Sequence, residues 1–399
     1  MKYAIWFVRL VFVAWMLPAG VNHFIPLFPQ PLGNMPLSRE LFAALDASGL
    51  FHIVKAVELI AALCLLTGFY VPLGLLLCMP VSFCVWYWDT PLQGWGSVSS
   101  IYGWAVLLCN VALCLAYLPS YREMLAARAA HGWPDRKQIV VAARLVFGSW
   151  MMLSGLNFFL AIYPMPAGQE SLAVQLMSAL AHSQLLDVAM GIQLVAGALI
   201  VAGLFVPLAL CVVMPVCVCA AYWAVILEHE PLGAILSLVA VGLNALLMLA
   251  YLDHYRSLLG RQAIALGEAS GRYEALFVDA SGRSSRMAFI SALVPLVLAA
   301  AFYHYWVFGL PGMWAMLVML FPAVVLHARR LHDMGRSAWL LLVPGIPVAA
   351  AIWFHMFDRG NAQERLVILV ALAVSAAVTL WGLIGKGQAE ANRYGAPGG

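Results

Sequence analysis

Two side chains that could carry chemistry stand three residues apart inside an apolar segment, Lys55 and Glu58. At this spacing both lie on one face of a helix and can form an ion pair. An ionisable side chain inside a membrane span costs at least ~2.5 kcal/mol on insertion scales, so the pair needs a reason. A polar pocket and a self-neutralising pair that only fixes packing both fit the pattern.

Other polar side chains are expected close to this pair, at the outer ends of neighbouring spans. His23 and His52 should lie at the same level as Lys55. We predict a ligand-binding pocket from Asn22, His23, His52, Lys55, Glu58 and Cys84. Buried Asn can also serve helix–helix hydrogen bonding, and buried Cys is often inert packing. No two histidines have the spacing of a metal site, so we assign none.

Arginine is concentrated in three short motifs near the C-terminus, at 282–286, 329–337 and 392–395. The planar guanidinium group suits phosphate and carboxylate recognition. Because Asp333 is the only nearby compensating charge in these motifs, we expect an anion among them, such as a lipid headgroup. Signals that only set membrane topology are the alternative. The candidate anion- or lipid-binding residues are Arg283, Arg286, Arg329, Arg330, His332, Asp333, Arg336, Asn392 and Arg393.

The composition excludes an ordinary soluble protein. Hydrophobic residues make up 64% of the chain and charged residues only 10%, whereas roughly a quarter of a soluble chain is charged. A net charge of +3 gives no reason to expect nucleic-acid binding. The eight cysteines all fall in apolar segments without a CxxC motif, which argues against a disulfide framework.

Apolar segments of about the length that crosses a bilayer recur throughout the chain. We therefore predict an all-α polytopic membrane protein of about twelve helices, forming two parallel four-helix repeats and a third helical bundle. The predicted spans are 4–25, 51–68, 71–88, 101–118, 140–163, 184–203, 206–226, 233–252, 287–307, 311–327, 338–356 and 365–384.

An internal repeat organises the first two thirds of the chain. The segment from Arg9 to Asn22 recurs as Arg144 to Asn157, 135 residues later, and the match continues through most of residues 9–259. Four polar residues of the predicted pocket are not repeated: the counterparts of His23, His52, Lys55 and Glu58 are Phe158, Asp187, Met190 and Gln193. The predicted pocket therefore belongs to the first repeat alone.

The distribution of Lys and Arg predicts the orientation. With the N-terminus inside, seventeen of the 21 Lys and Arg residues fall on the inner side. Both termini should therefore be cytoplasmic. The predicted domains are 1–135 and 136–262, a linker at 263–279, and a membrane domain at 280–399.

The first two domains resemble the DoxX family, in tandem over about 9–260. The resemblance rests on the opening R-L-x-F…W…G-x-N pattern and the tight turn from Gly68 to Pro72. It implies a four-helix membrane bundle and a link to redox chemistry, since some relatives belong to thiosulfate:quinone oxidoreductase or partner thiol-handling enzymes. The residues matching positions associated with the family are Arg9, Asn22, Glu58, Arg144 and Asn157.

The three arginine motifs, with Trp339, resemble the YhaH-like family of bacterial inner-membrane proteins, domain-of-unknown-function family 805, over about 280–399. This resemblance implies a bacterial inner membrane and no particular reaction.

These patterns favour a redox-associated inner-membrane protein that binds a quinone or a thiol-bearing small molecule in the first repeat. Its expected partners are membrane lipids and a thiol-handling redox protein, with no nucleic acid. A non-enzymatic scaffold or anionic-lipid-binding protein is the second interpretation, and a small-molecule transporter is the third. The sequence does not decide whether the protein is an enzyme.

Overall fold

The computed structural model describes residues 1–132, 137–164, 168–266, 272–307, 309–357, 360 and 362–396. Within these ranges the protein is helical, with only an isolated bridge between Asn392 and Gly395. The α-helices are α1 (Lys2–Phe24), α2 (Pro36–Ala47), α3 (Leu50–Thr67), α4 (Val71–Asp89), α5 (Val98–Ala116), α6 (Leu118–Tyr121), α7 (Lys137–Leu160), α8 (Ser171–His182), α9 (Leu185–Ala202), α10 (Val206–Tyr222), α11 (Pro231–Ala250), α12 (Arg272–Val278), α13 (Arg286–Trp306), α14 (Leu310–Val318), α15 (Leu320–Asp333), α16 (Leu342–Phe357) and α17 (Ala362–Ile384).

Twelve helical segments of the described chain are long and apolar enough to cross a bilayer. This confirms the predicted all-α fold with about twelve spans, and the protein is a multi-pass membrane protein. Spans two, three, six, nine and eleven match the prediction within one residue at each end. The tenth differs, because helix continues from the predicted end at 327 to Asp333, with a break at Met319 between α14 and α15. Arg329, Arg330, His332 and Asp333 therefore lie on a helix rather than in a loop.

The tight turn between α3 and α4 follows from its residue types. Gly68 has φ +81°, a left-handed conformation that glycine adopts without steric cost. Pro72 lies in the first turn of α4, where a missing N–H is tolerated. Gly203 and Pro207 play the same parts between α9 and α10.

The chain divides into two compact units. Unit 1 contains Met1–Ala19, Leu66–Gly68 and Ile264–Gly399. In its core, the indole of Trp6 stacks on Phe277 with ring centroids 4.1 Å apart, and Phe289 and Ala292 of α13 are fully buried. The beginning of α1 therefore packs with α12 and the C-terminal helices.

Unit 2 contains Gly20–Leu65 and Phe69–Ala263. Within it, α7, α9, α10 and α11 pack into a four-helix bundle. Two buried tyrosines outside the spans donate to carbonyls at the proline turns: Tyr121 to Pro72 at 2.8 Å, and Tyr255 to Pro207 at 2.8 Å. Burial raises the pKa of both phenols, so both stay neutral donors.

Four short helices of the described chain, α2, α6, α8 and α12, were not predicted. Helices α2 and α8 follow α1 and α7 and pack against each other. Helix α12 lies within the predicted linker 263–279, of which residues 267–271 are outside the described residues. The parallel arrangement of the repeats and the domain boundaries stay predictions.

Candidate functional site

The predicted ion pair is formed on α3. Lys55 Nζ lies 2.7 Å from Glu58 Oε2, and the two side chains are only 10% and 3% exposed. The ammonium group also lies over the ring of Phe51, 5.2 Å from its centroid. A charged pair is thus held inside the protein on a membrane-spanning helix.

Two histidines lie together at the same end of this helix. The imidazole rings of His23 and His52 meet edge to face with centroids 4.5 Å apart, and Phe51 contacts His23 at 4.9 Å. Nε2 of His23 is buried and makes no hydrogen bond within the described structure. We call His23, His52, Lys55 and Glu58 the polar cluster. Its unused nitrogen is a place where a ligand could bond.

Asn22, although adjacent to His23, binds the backbone of the loop that follows α1. Its Oδ1 accepts from the backbone N–H groups of Leu27 and Phe28 at 2.7 and 2.8 Å. Asn157 does the same for Tyr163 at 2.7 Å. Both asparagines therefore fix the chain where it leaves a span. The helix–helix hydrogen bond offered as their alternative role is replaced by this loop cap.

Cys84 is solvent- or lipid-exposed on α4, whereas Lys55 and Glu58 are buried. The place of Cys84 in the predicted pocket therefore stays a prediction.

A second polar network lies inside the first repeat, between α4 and α5. Asn110, fully buried on α5, donates to Ser82 Oγ at 2.9 Å. Ser82 also lies 3.8 Å from the sulfur of Cys78. The sequence comparison offered a signal for this pair, because Ser82 is replaced by Cys217 in the second repeat while Asn110 is kept as Asn244.

The arginine motifs of unit 1 centre on Asp333. Arg283 Nε lies 3.1 Å from Oδ1 of this carboxylate, and Arg330 Nη1 lies 2.6 Å from Oδ2. All three side chains are at least nine-tenths buried. The two cations share one carboxylate, which compensates part of their charge.

The remaining guanidinium N–H groups of these two arginines bond to backbone carbonyls. Arg330 donates to Gly382 and Gly385, each at 2.7 Å, and to Ser284 at 3.2 Å. Arg283 donates to Glu390 at 2.7 Å and to Gln388. We call Arg283, Arg330 and Asp333 the arginine latch, because their bonds tie α15 and the segment just before α13 to the end of α17 and the chain that follows it.

His332 and Asn392 complete the attachment of this tail. The imidazole stacks on the ring of Tyr394 with centroids 3.8 Å apart. The Asn392 amide donates to the His332 carbonyl at 2.9 Å, and its Oδ1 accepts from the backbone of Tyr394 at 2.9 Å. Asn392 therefore links the third motif to the second.

The arginines of the predicted anion site thus differ in burial and in bonding. The premise of unpaired cations does not hold for Arg283 and Arg330, which are buried and bonded within the chain. Arg286, Arg336 and Arg393 are exposed, whereas Arg329 bonds Asp279 O at 2.9 Å. The lipid-binding prediction now depends on the three exposed arginines and stays a prediction.

One buried ion pair was not foreseen. Arg9 Nη1 lies 2.7 Å from Glu274 Oε1, with side chains 1% and 11% exposed. An arginine near a span end usually extends its side chain to the membrane interface. Arg9 instead meets a carboxylate that follows it by 265 residues in the chain.

The comparisons with known proteins address only the C-terminal third. No curated protein and no solved structure matches the chain. Residues 277–396 match the family described as "Protein of unknown function (DUF805)", and every residue of the arginine latch falls in this range. The chain is therefore a helical, multi-pass membrane protein that carries a DUF805 domain at residues 277–396.

Proposed function

We propose that this is a redox-associated inner-membrane protein whose first repeat, a DoxX-like unit, binds a quinone at the polar cluster. The observation that carries the proposal is the buried Lys55–Glu58 pair beside His23, whose Nε2 has no hydrogen-bond partner in the described structure. The second repeat has Phe158, Met190 and Gln193 at the equivalent positions. Only the first repeat thus carries the energetic cost of burying this charged pair. If the pair served only the helix packing that both repeats share, the second repeat would need it too, so a function specific to the first repeat is favoured.

The chemistry of the cluster suits a quinone headgroup. Its carbonyl oxygens would accept hydrogen bonds from Lys55 and His23, and the aromatic ring would pack against Phe51 and Phe24. In the reduced form, the quinol hydroxyls would donate to Glu58. A thiol-handling partner fits this reaction class, because oxidation of two thiols to a disulfide supplies the two electrons and two protons that turn a quinone into a quinol.

Binding of a short-chain benzoquinol, the reduced form whose hydroxyl would donate to Glu58, to the protein in nanodiscs tests the proposal. A charge-assisted hydrogen bond contributes about 1.5–3 kcal/mol, so Glu58→Gln should weaken binding roughly 10- to 100-fold. The matched change in the second repeat, Gln193→Ala, should leave the Kd unchanged.

A second variant separates loss of the site from loss of folding. Glu58→Gln leaves Lys55 buried without its partner, which destabilises the protein by itself. Lys55→Met combined with Glu58→Gln removes both charges and should keep the thermal stability while binding stays lost. Wild-type protein that binds no more probe than empty nanodiscs would overturn the proposal.

A further inference from the structure

Contacts between the two repeats within unit 2 come in reciprocal pairs. Tyr87 of the first repeat donates to the carbonyl of Ser183 at 2.7 Å. Tyr222 of the second repeat donates to the carbonyl of Ser48 at 2.8 Å. Both members of one bond are displaced by 135 residues from those of the other. In a two-fold symmetric dimer, every contact occurs twice, with the roles of the two copies exchanged. The two tyrosine bonds between the repeats follow this rule.

The apolar core between the repeats has the same reciprocity. Helices α2 and α8 meet here, and each inserts equivalent side chains, Leu41 with Ala44 and Leu176 with Ala179. The remaining buried members include Leu50, Leu92 and Leu227. The second repeat therefore occupies the place that a second subunit has in a homodimer.

The two tyrosines bind turns that precede different helices, and only one of these helices carries the polar cluster. The turn held by Tyr222 starts α3, the helix that carries His52, Lys55 and Glu58. The turn held by Tyr87 starts α9, which carries Asp187, Met190 and Gln193 instead. The same hydrogen bond thus supports the polar cluster in one case and a span without an ion pair in the other.

The turn at the start of α3 is tightly defined. Gly49 has φ +76°, and a Cβ added there would lie 2.9 Å from the hydroxyl oxygen of Tyr222. The Gly49 carbonyl accepts from the backbone N–H of His52 at 3.1 Å. A shift of this turn would therefore move the first turns of α3, where Phe51, His52 and Lys55 lie.

We propose that Tyr222 is a positioning residue for the polar cluster, so that the binding site of the first repeat is incomplete without the second repeat. The inference rests on the proposed function. It explains why a second repeat without the charged pair is useful: it supplies the partner surface that orients the working helix.

Two single-atom changes test the inference in the full-length protein. Tyr222→Phe and Tyr87→Phe each remove one hydroxyl from equivalent hydrogen bonds, so both should lower the melting temperature equally. Short-chain benzoquinone binding should weaken about tenfold in Tyr222→Phe, on the scale of one hydrogen bond. It should stay within about twofold of wild type in Tyr87→Phe. Equal weakening in both variants, or none in Tyr222→Phe, would overturn the inference.

An infrared measurement keeps the inference separate from the quinone proposal. The carboxylate band of Glu58 is assigned as the band lost in Glu58→Gln. Tyr222→Phe should shift this band and Tyr87→Phe should not, whether or not quinone binds. If wild type binds no quinone but the band shifts only in Tyr222→Phe, the proposed ligand fails and the positioning role stands. An unshifted band in Tyr222→Phe contradicts the positioning role.

Discussion

At the scale of single residues, Asp333 compensates part of the charge of the arginine motifs. Arginine-rich motifs suit anions, and for Arg283 and Arg330 an anion is supplied by the chain itself. Asp333 contacts both Arg283 and Arg330, and other N–H groups of the two arginines donate to backbone carbonyls, including that of Gly385 after α17. A buried ion pair is poor evidence of net stabilisation, yet it is costly to break on one side.

Asp333→Asn should therefore destabilise unit 1 strongly. Both latch arginines would keep their charge in a buried site without the carboxylate, at a cost of about 3–5 kcal/mol. Thermal unfolding and protease sensitivity of residues 386–396 would measure the effect. The control is Asp253→Asn, because Asp253 and Arg256 form an exposed pair whose loss costs no more than about 1 kcal/mol. Equal stability of the two variants would contradict the latch.

At the scale of elements, the short helix α12 is held by a mixture of charge and aromatic packing. Glu274 pairs with Arg9, and the guanidinium group lies 4.4 Å from the ring centroid of Trp6. Trp6 in turn stacks on Phe277. Isolated helices shorter than about 12 residues are marginal in water, so a seven-residue helix depends on these tertiary contacts.

Glu274→Gln should loosen α12 without unfolding the spans. The neutral amide loses the charge-assisted bond to buried Arg9 and leaves that cation without its carboxylate, a change of roughly 3 kcal/mol. Hydrogen exchange at residues 272–278 should speed up, while exchange in α9 stays unchanged. Unaltered exchange at 272–278 would show that aromatic packing alone holds the helix.

The sequence predicted elements better than contacts. Twelve spans follow from hydropathy, and the turn at Gly68 follows from glycine and proline chemistry. Helices α2 and α8 were missed because each has only twelve residues, too few to cross a bilayer, and each lies between two predicted spans. Their common offset of 135 residues was the available signal. The bond from Tyr222 to Ser48 joins residues 174 positions apart, and nothing in local spacing indicates such a pair.

At the scale of the whole molecule, orientation remains the prediction that gives the polar cluster its side of the membrane. The count of Lys and Arg places both termini inside, since positive charge accumulates in cytoplasmic loops. The loop after α4 should then be outside and the loop after α6 inside. If the orientation were reversed, the polar cluster would face the cytoplasm and a different set of thiol partners.

Cysteine labelling in intact cells would determine the orientation, with the unsubstituted protein as background. Gly94, Gly168 and Ser270 are natural positions in the predicted loops, but Ser270 is outside the described residues. Gly94 has φ +100°, and a Cβ at Gly168 would lie 3.2 Å from Glu228. Gly96 has nothing within 4 Å of an added Cβ, so Gly96→Cys is the better outer probe. It should react with an impermeant maleimide in intact cells, whereas Arg128→Cys, at an exposed position, should react only after permeabilisation. Labelling of Arg128→Cys in intact cells would show that the orientation is the opposite of the predicted one. A thiol partner would then have to reach the polar cluster from the cytoplasm.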